Sequence, residues 1–484
     1  MNYSTKAELI RQHPLSEAAQ KYPAHLALQF RDKSITYSDL YIQSRQVAMV
    51  LSHRGIQTGQ IVALGELSTV EMIISIWACM LGGFITFPLN IRFPKASITA
   101  ILTDINPAFL ISDAPYPDHN AVSFRELIIE AKQMIPGDPP LFNELAAASL
   151  LMTSGSSGEV KFVQHSHHNH IESAKGSNQN IQLNSSDRWV LSLPLYHVGG
   201  LAILFRTVLS GATLIVPKDK DSILEKINQR GASHLSVVTT QLQRLLREQS
   251  GPKILQGVKA ILLGGSTIPP ALIQESLKHK LPIFVSYGST EMASQITTTS
   301  SQNREAALQN SGKVLPGREL IISHTGEILV KGETLGQGYL KNSKLIDFRD
   351  KEGWFHTGDI GYINVQGELT VTGRVDNQFI SGGENIQPEH IERLLCNISG
   401  ILNAIVIPQK DEEFGARPAA FLEIDSEAPD SEEIGKQLRN RLPGYMIPIA
   451  YYQLPGKLAT DSLKISRKEL IKLTYAENKD LHTL

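Results

Sequence analysis

Leu150-Leu151-Met152-Thr153-Ser154-Gly155-Ser156-Ser157-Gly158-Glu159-Val160-Lys161 sets hydroxyl side chains, two glycines and a lysine behind a short apolar run. Glycines let backbone N–H groups approach oxygens and adopt φ > 0, hydroxyls donate further hydrogen bonds, and a lysine adds positive charge, so the composition suits a phosphate. The stretch differs from the common P-loop, G-x-x-x-x-G-K-[ST], which opens a helix. Gly158 is followed by Glu159 and Val160, and neither Ser nor Thr follows Lys161. As a bare pattern it also reads as a polar surface loop. Residues 146–152 ahead of it read as a strand that delivers the chain to the loop.

Outward from the loop, apolar strands alternate with helical segments. Toward the N-terminus, 26–30 and 34–37 read as a hairpin, and Thr36 or Ser38 is placed to cap a helix running to about His53. Residues 61–65 read as a buried strand. From Met72 to Leu89 no residue is charged, but Gly82-Gly83 breaks the run and Pro88 closes it. A buried helix to Leu81, a turn and a short strand at 84–87 fit better than a membrane span. Toward the C-terminus, strands are expected at 190–195, 213–217, 235–239, 260–264 and 283–287, with helices at 201–209 and 241–248. Two of these strands, 260–264 and 283–287, end in Gly264-Gly265-Ser266 and Gly288-Ser289-Thr290-Glu291. In parallel sheets that edge is where ligands bind.

Residues 315–372 are Gly-rich with short strands at 327–331, 361–363 and 368–372, a small β-subdomain. After Gly373-Arg374-Val375-Asp376-Asn377 the pattern is compact α+β: helices at 388–396 and 430–440, strands at 403–408 and 419–424. The fold class read from this is α/β: a large N-terminal domain of layered α/β subdomains plus the β-subdomain, residues 1–375, and a small mobile α+β domain, 376–484.

Net charge is −2 with no basic bloc, which gives nucleic-acid binding no electrostatic support. Cys79 and Cys396 lie in apolar helical contexts and read as buried thiols. With no apolar signal core in the first residues, they favour the reducing cytoplasm. His165, His167, His168 and His170 invite a metal reading, but no carboxylate or Cys set beside them completes one, and Asn169-His170-Ile171 reads as an ordinary helix start. Arg206 sits inside an apolar helix, which is costly for a cation unless it is paired. It reads either as half of a salt bridge or as an anchor for a substrate carboxylate, which guanidinium binds bidentately.

Five blocks then stand in one order: residues 153–161, Tyr287-Gly288-Ser289-Thr290-Glu291, Trp354-Phe355-His356-Thr357-Gly358-Asp359, Gly373-Arg374-Val375-Asp376, and a lysine near the end. Together they resemble the adenylate-forming superfamily of acyl-CoA synthetases, adenylation domains and luciferases, over nearly the whole chain. Leu193-Pro194-Leu195-Tyr196-His197-Val198-Gly199-Gly200, the helix with Arg206, Thr240-Gln241-Leu242-Gln243-Arg244 and Phe379-Ile380-Ser381-Gly382-Gly383-Glu384 are most similar to the 2-succinylbenzoate–CoA ligase family of menaquinone and phylloquinone biosynthesis. Four departures stand out. The superfamily loop usually has Thr at Ser157, Pro-Lys at Val160-Lys161 and a small residue at Phe162, and many relatives end in Asn-Gly-Lys where this chain has Ser462-Leu463-Lys464.

The resemblance implies ATP, Mg²⁺ and CoA, a carboxylic acid substrate, and no nucleic-acid or integral membrane partner; a homo-oligomer stays open. It implies that Thr153, Ser154, Gly155, Ser156, Ser157, Gly158 and Lys161 hold the β- and γ-phosphates, that Thr290 meets the α-phosphate and that Glu291 holds Mg²⁺. Tyr287 and Gly288 would flank adenine beside Gly264, Gly265 and Ser266. Asp359 would take the ribose hydroxyls with Arg374 nearby. Lys464 would stabilise charge in adenylation, Asp376 would be the hinge, and Gly382 and Gly383 would come to the CoA side. On the acid side it points to His197 at the acyl channel, with Arg206, Ser289 and Gln241 in the pocket. Other acids, a carrier-protein thiol, or a non-catalytic nucleotide binder are the alternative readings.

Overall fold

Local signals place the helices where the chain needs them. Thr36 and Asp39 exchange side-chain-to-backbone hydrogen bonds (3.1 and 3.4 Å) and start helix Tyr37–His53, while Ser68 and Glu71 do the same for Thr69–Leu81. The second helix is buried from Met72 to Leu81. It stops at Gly82, where a Cβ would lie 2.3 Å from the Phe84 ring, and strand Ile85–Pro88 follows. Among the described residues no helix is long and apolar enough to cross a membrane. These residues of the computed structural model are 12–30, 33–134, 140–154, 160–217, 223–265, 268–301, 305, 310–426, 428–455 and 467–475.

Two large sheets carry the N-terminal domain. One has eight strands, with Ala147–Ser154 and Val160–Ser166 at its centre between Gly338–Lys341 and Ile85–Pro88. The other has nine, with Arg188–Val190, His234–Val237, Ala260–Gly264 and Ile283–Ser289 running parallel side by side. One continuous apolar core joins residues of both sheets to the helices Tyr37–His53, Thr69–Leu81, His167–Ile181 and Val198–Ser210. A four-stranded antiparallel sheet, Arg318–Ile322, Glu327–Gly332, Phe355–Ile363 and Leu369–Arg374, forms the β-subdomain around Ile328, Val330, Phe355 and Leu369. The smaller C-terminal domain packs helices Pro388–Leu395 and Ser431–Arg439 on the strand pair Ile401–Asp411 and Gly415–Ile424, with its own core of Ile391, Val406, Leu422 and Leu438.

Two segments differ from the sequence reading. The strand expected at 190–195 ends at Val190. Ser192 N–H turns back onto the Val190 carbonyl (3.0 Å), and the chain leaves the sheet through Pro194. Gly200 then lets helix Val198–Ser210 lie against the Pro194 carbonyl, which a Cβ would meet at 2.1 Å. The segment after the opening stretch, read only as a histidine-rich helix start, is first the strand Val160–Ser166. Phe162, a departure from the superfamily pattern, is core there and packs edge-on against Phe87.

Candidate functional site

The opening stretch is the mouth of a β-hairpin. Thr153 pairs with Lys161 and Ser154 with Val160 across Ala147–Ser154 and Val160–Ser166. Gly155, Ser156, Ser157 and Gly158 lie outside the described residues. The far edge of Val160–Ser166 pairs with Gly338–Lys341, Tyr339 opposite Val163. That register sets the Lys161 ammonium 4.9 Å from the Tyr339 ring centroid, within cation–π range. The Tyr339 hydroxyl donates to Glu291 Oε1 at 2.8 Å. Burial, and then the Glu291 carboxylate, push the Tyr339 pKa up, so the phenol stays a donor.

Residues 287–294 form the second wall. Strands Ile283–Ser289 and Ser294–Thr298 are antiparallel, with Ser289 opposite Ser294. Gly288 is required here: a Cβ would sit 1.9 Å from the Ser294 carbonyl oxygen. The turn is tied to the hairpin from beneath. His165 Nε2 lies 2.7 Å from the Thr290 carbonyl, and the Gly336 N–H donates to the Glu291 carbonyl at 2.8 Å. Burial lowers the His165 pKa to about 4, so the imidazole is neutral at pH 7. Because a carbonyl only accepts, its proton is on Nε2. Thr290 is thus held by the strand that carries Lys161, and Glu291 by the segment 336–339, whose strand pairs with it.

Strand ends of the nine-stranded sheet supply the third wall. Gly264 pairs with Ser286, one residue before Tyr287, and Gly265 takes φ +92°; Ser266 lies outside the described residues. The Tyr287 hydroxyl donates to Asp359 Oδ2 at 2.7 Å, and Arg374 Nη1 donates to Asp359 Oδ1 at 2.6 Å. Asp359 and Arg374 are cross-strand partners in the β-subdomain. Arg374 Nη2 also reaches Asp376 Oδ2 at 3.5 Å, in the short 3₁₀ turn Val375–Asn377. One guanidinium therefore touches both the strand-end cluster and the turn that carries Asp376. Farther on, Gly382 (φ +57°) and Gly383 (φ +89°) turn the hairpin Phe379–Ser381/Glu384–Ile386. Lys464 lies outside the described residues.

On the acid side, Arg206 is the largest surprise of charge. It is 1% exposed, and its Nη2 donates to Gln295 Oε1 (2.8 Å) and Ser294 Oγ (3.2 Å), with the guanidinium 5.4 Å from the Trp189 ring. Burial, and then Arg318, pull its pKa down to about 9, leaving it charged at pH 7. Among the described residues no carboxylate forms an ion pair with it. Ser294 is the strand partner of Ser289, so Arg206 reaches the turn that carries Thr290 and Glu291. Gln241 is engaged locally: its carbonyl accepts the Val238 N–H (3.1 Å) and its amide donates to the Ser192 carbonyl (3.0 Å). His197 precedes helix Val198–Ser210, its ring edge-on to Tyr196 at 4.7 Å. Neither Tyr339 nor His165 is singled out for this site by the sequence. Tyr339 stands in Gly-rich Gly336-Gln337-Gly338-Tyr339-Leu340 with no spacing signal, and only the sheet pairing brings it to Glu291.

The AMP-binding enzyme family model matches residues 15–340. The 2-succinylbenzoate–CoA ligase of Escherichia coli (strain K12) is 31% identical over 446 residues, covering 92% of this chain and 94% of that protein. That of Bacillus pumilus is 34% identical over 468 residues, covering 93% and 95%. Among solved structures, o-succinylbenzoate CoA synthetase from Bacillus subtilis with ATP and magnesium ion matches with TM-score 0.83 at 30% identity, covering 96% of this chain and 99% of that one. The same enzyme with the acyl-adenylate intermediate OSB-AMP matches with TM-score 0.83 at 29% identity, covering 98% and 99%.

Proposed function

This chain belongs to the AMP-binding enzyme family, and from that premise we propose that it is an ATP-dependent acid–thiol ligase. It converts 2-succinylbenzoate, ATP and CoA to 2-succinylbenzoyl-CoA, AMP and pyrophosphate, a step of menaquinone and phylloquinone biosynthesis. One observation carries the choice of acid: a buried, charged Arg206 with no carboxylate partner among the described residues, aimed at the turn of Ser289, Thr290 and Glu291. A substrate with a second carboxylate supplies the missing counter-charge.

The chemistry proceeds in two halves. A carboxylate oxygen of the acid bonds to the α-phosphorus of ATP as the bond to pyrophosphate breaks, giving the acyl-adenylate. The CoA thiol then bonds to the acyl carbon, and AMP leaves. Both halves need phosphate charge neutralised and reactants aligned. In this reading Thr153, Lys161 and the intervening loop hold the β- and γ-phosphates, and Thr290 meets the α-phosphate. Glu291 is the candidate holder of Mg²⁺. Its Oε1 is fixed by Tyr339, and a carboxylate beside phosphates offers the all-oxygen donors that a hard cation takes. Mg²⁺, when bound, neutralises phosphate charge. Asp359, held in place by Tyr287 and Arg374, is the candidate acceptor for the ribose hydroxyls. Tyr287 and Gly264-Gly265 flank the base, and His197 and Gln241 stand at the acyl channel.

Lys464 serves adenylation and Gly382-Gly383 serves thiolation, so the domain after 375 turns about Asp376 between halves. The buried free thiols Cys79 and Cys396 suit a cytoplasmic enzyme. The test is pyrophosphate release with ATP, Mg²⁺ and a panel of carboxylic acids, with and without CoA. Release that depends on 2-succinylbenzoate, with thioester formed when CoA is added, is expected. Preference for another acid refutes the substrate, absence of thioester favours a carrier-loading enzyme, and no acid-dependent release refutes the ligase.

A further inference from the structure

We propose that His168, Glu172 and Glu333 form a divalent-cation site of the imidazole-plus-carboxylate kind, sharing no residue with the nucleotide site, with Glu144 orienting the imidazole. One ligand atom from each of the three lies within 4.8 Å of the other two. His168 and Glu172 are one turn apart on helix His167–Ile181, so their side chains share a face. Glu333 arrives from the loop after strand Glu327–Gly332, its Oε1 3.9 Å from His168 Nε2.

The backbone around these donors is fixed. The Glu333 N–H donates to the Gly317 carbonyl (2.9 Å), and the Glu333 carbonyl accepts from Asn169 Nδ2 (2.7 Å), the residue beside His168. On the other side of the ring, Glu144 Oε1 lies 3.5 Å from His168 Nδ1, which is buried and has no hydrogen-bond partner, so the carboxylate stands ready to take that N–H when the far nitrogen binds an ion. Glu144 is 5% exposed, and its second oxygen has no hydrogen-bond partner. A buried carboxylate behind a histidine is the usual support of a metal-binding imidazole, since it fixes the tautomer and frees the far nitrogen. One nitrogen with carboxylate oxygens suits zinc and neighbouring ions better than magnesium. Glu172 also holds the Lys175 ammonium at 2.6 Å, and a bound cation competes with it.

Such an ion would cross-link helix His167–Ile181 to the segment that begins at Glu333. That segment sends the Gly336 N–H to the Glu291 carbonyl and the Tyr339 hydroxyl to the Glu291 carboxylate, so the ion braces the site without entering it.

The full chain, without an affinity tag and stripped by EDTA and dialysis, is titrated with zinc chloride in the absence of ATP by calorimetry. Cobalt(II) is followed in parallel by visible absorption. A single saturable equivalent is expected for the wild type. His168→Gln and Glu333→Gln should lose it, and Glu144→Gln should weaken it about tenfold. Lys175→Met should tighten it, an outcome that a mere ion-pair cluster does not produce. Glu333 is half exposed, so Glu333→Gln keeps the fold and the comparison. Absence of a saturable equivalent in the wild type, or an unchanged isotherm in Glu333→Gln, overturns the site.

Discussion

Replacing Arg206 by methionine separates a substrate anchor from a structural ion. Burying a cation is expensive, and exchanging a buried ion for an apolar side chain of similar volume is often neutral or stabilising by about 1–4 kcal/mol. Against that gain, Gln295 Oε1 and Ser294 Oγ lose the donor they now have at 2.8 and 3.2 Å. Ser294 can rotate its hydroxyl to another partner, but Gln295 is buried, and one unsatisfied buried acceptor costs about 1–3 kcal/mol. The sum for Arg206→Met runs from a loss of about 2 to a gain of about 3 kcal/mol, centred near zero. Had Arg206 held an internal carboxylate, the loss would be about 3–5 kcal/mol. Binding should respond differently. Charge-assisted hydrogen bonds are worth about 1.5–3 kcal/mol, so KM for 2-succinylbenzoate should rise roughly 10- to 150-fold. Calorimetric unfolding and pyrophosphate release, with benzoate as the acid lacking a second carboxylate, read both sides. A variant destabilised by the full ion-pair loss, with KM for 2-succinylbenzoate unmoved, refutes the reasoning.

Four further outcomes follow from the same geometry. Tyr339→Phe removes the donor to Glu291 and keeps the ring under Lys161; the Mg²⁺ concentration for half-maximal adenylation should rise about tenfold or more. An unmoved Mg²⁺ titration would reduce Tyr339 to packing. Glu392 has its pKa raised from 4.5 to about 7, burial outweighing Arg467. The folded state therefore holds the proton more tightly, so this contribution to stability is present below about pH 4.5 and lost as pH rises through about 7. Glu392→Gln should flatten the urea midpoint across that window, and parallel curves for the two proteins would contradict it. Lys464→Ala should abolish ATP–pyrophosphate exchange while preformed acyl-adenylate is still thiolated; intact exchange would remove the lysine from the mechanism. Asp376→Pro should slow thioester formation far more than adenylation, and equal slowing would count against a pivot there.

What the sequence shows and what it hides divide along the distance between partners. The helix start at Thr36 was readable because a cap and its partner, here Asp39, are three residues apart. The glycine-bearing strand ends of the nine-stranded sheet were readable because Gly264-Gly265 and Gly288-Ser289 each follow their own apolar strand. Strand Val160–Ser166 was hidden by its composition: the histidine run at its end drew attention to helix spacing, while the strand's identity rests on pairing with both Ala147–Ser154 and Gly338–Lys341. Tyr339 and Glu333 have no local signature at all. Each acquires a role only when a distant segment is brought beside it, Glu291 for one and His168 for the other. Likewise, nothing near Arg206 in sequence says whether an acid faces it.

Arg374 makes the strongest link between the candidate site and the turn at Asp376 proposed as the pivot. Its contact with Asp359 is short, 2.6 Å, and lies within one sheet, where the two residues are cross-strand partners. Its contact with Asp376 is longer, 3.5 Å, and reaches out of that sheet to the 3₁₀ turn, where the Asp376 side chain is half exposed. Salt bridges of the second, solvated kind are worth about 0–1 kcal/mol, so a pivot at 376 can break this one at little expense. The Asp359 pair does not have to move, because no bond between residues 359 and 374 crosses the pivot. A chain arranged this way can rotate its C-terminal domain while Asp359 stays fixed on whatever it holds, which is what two successive reactions on one bound nucleotide require.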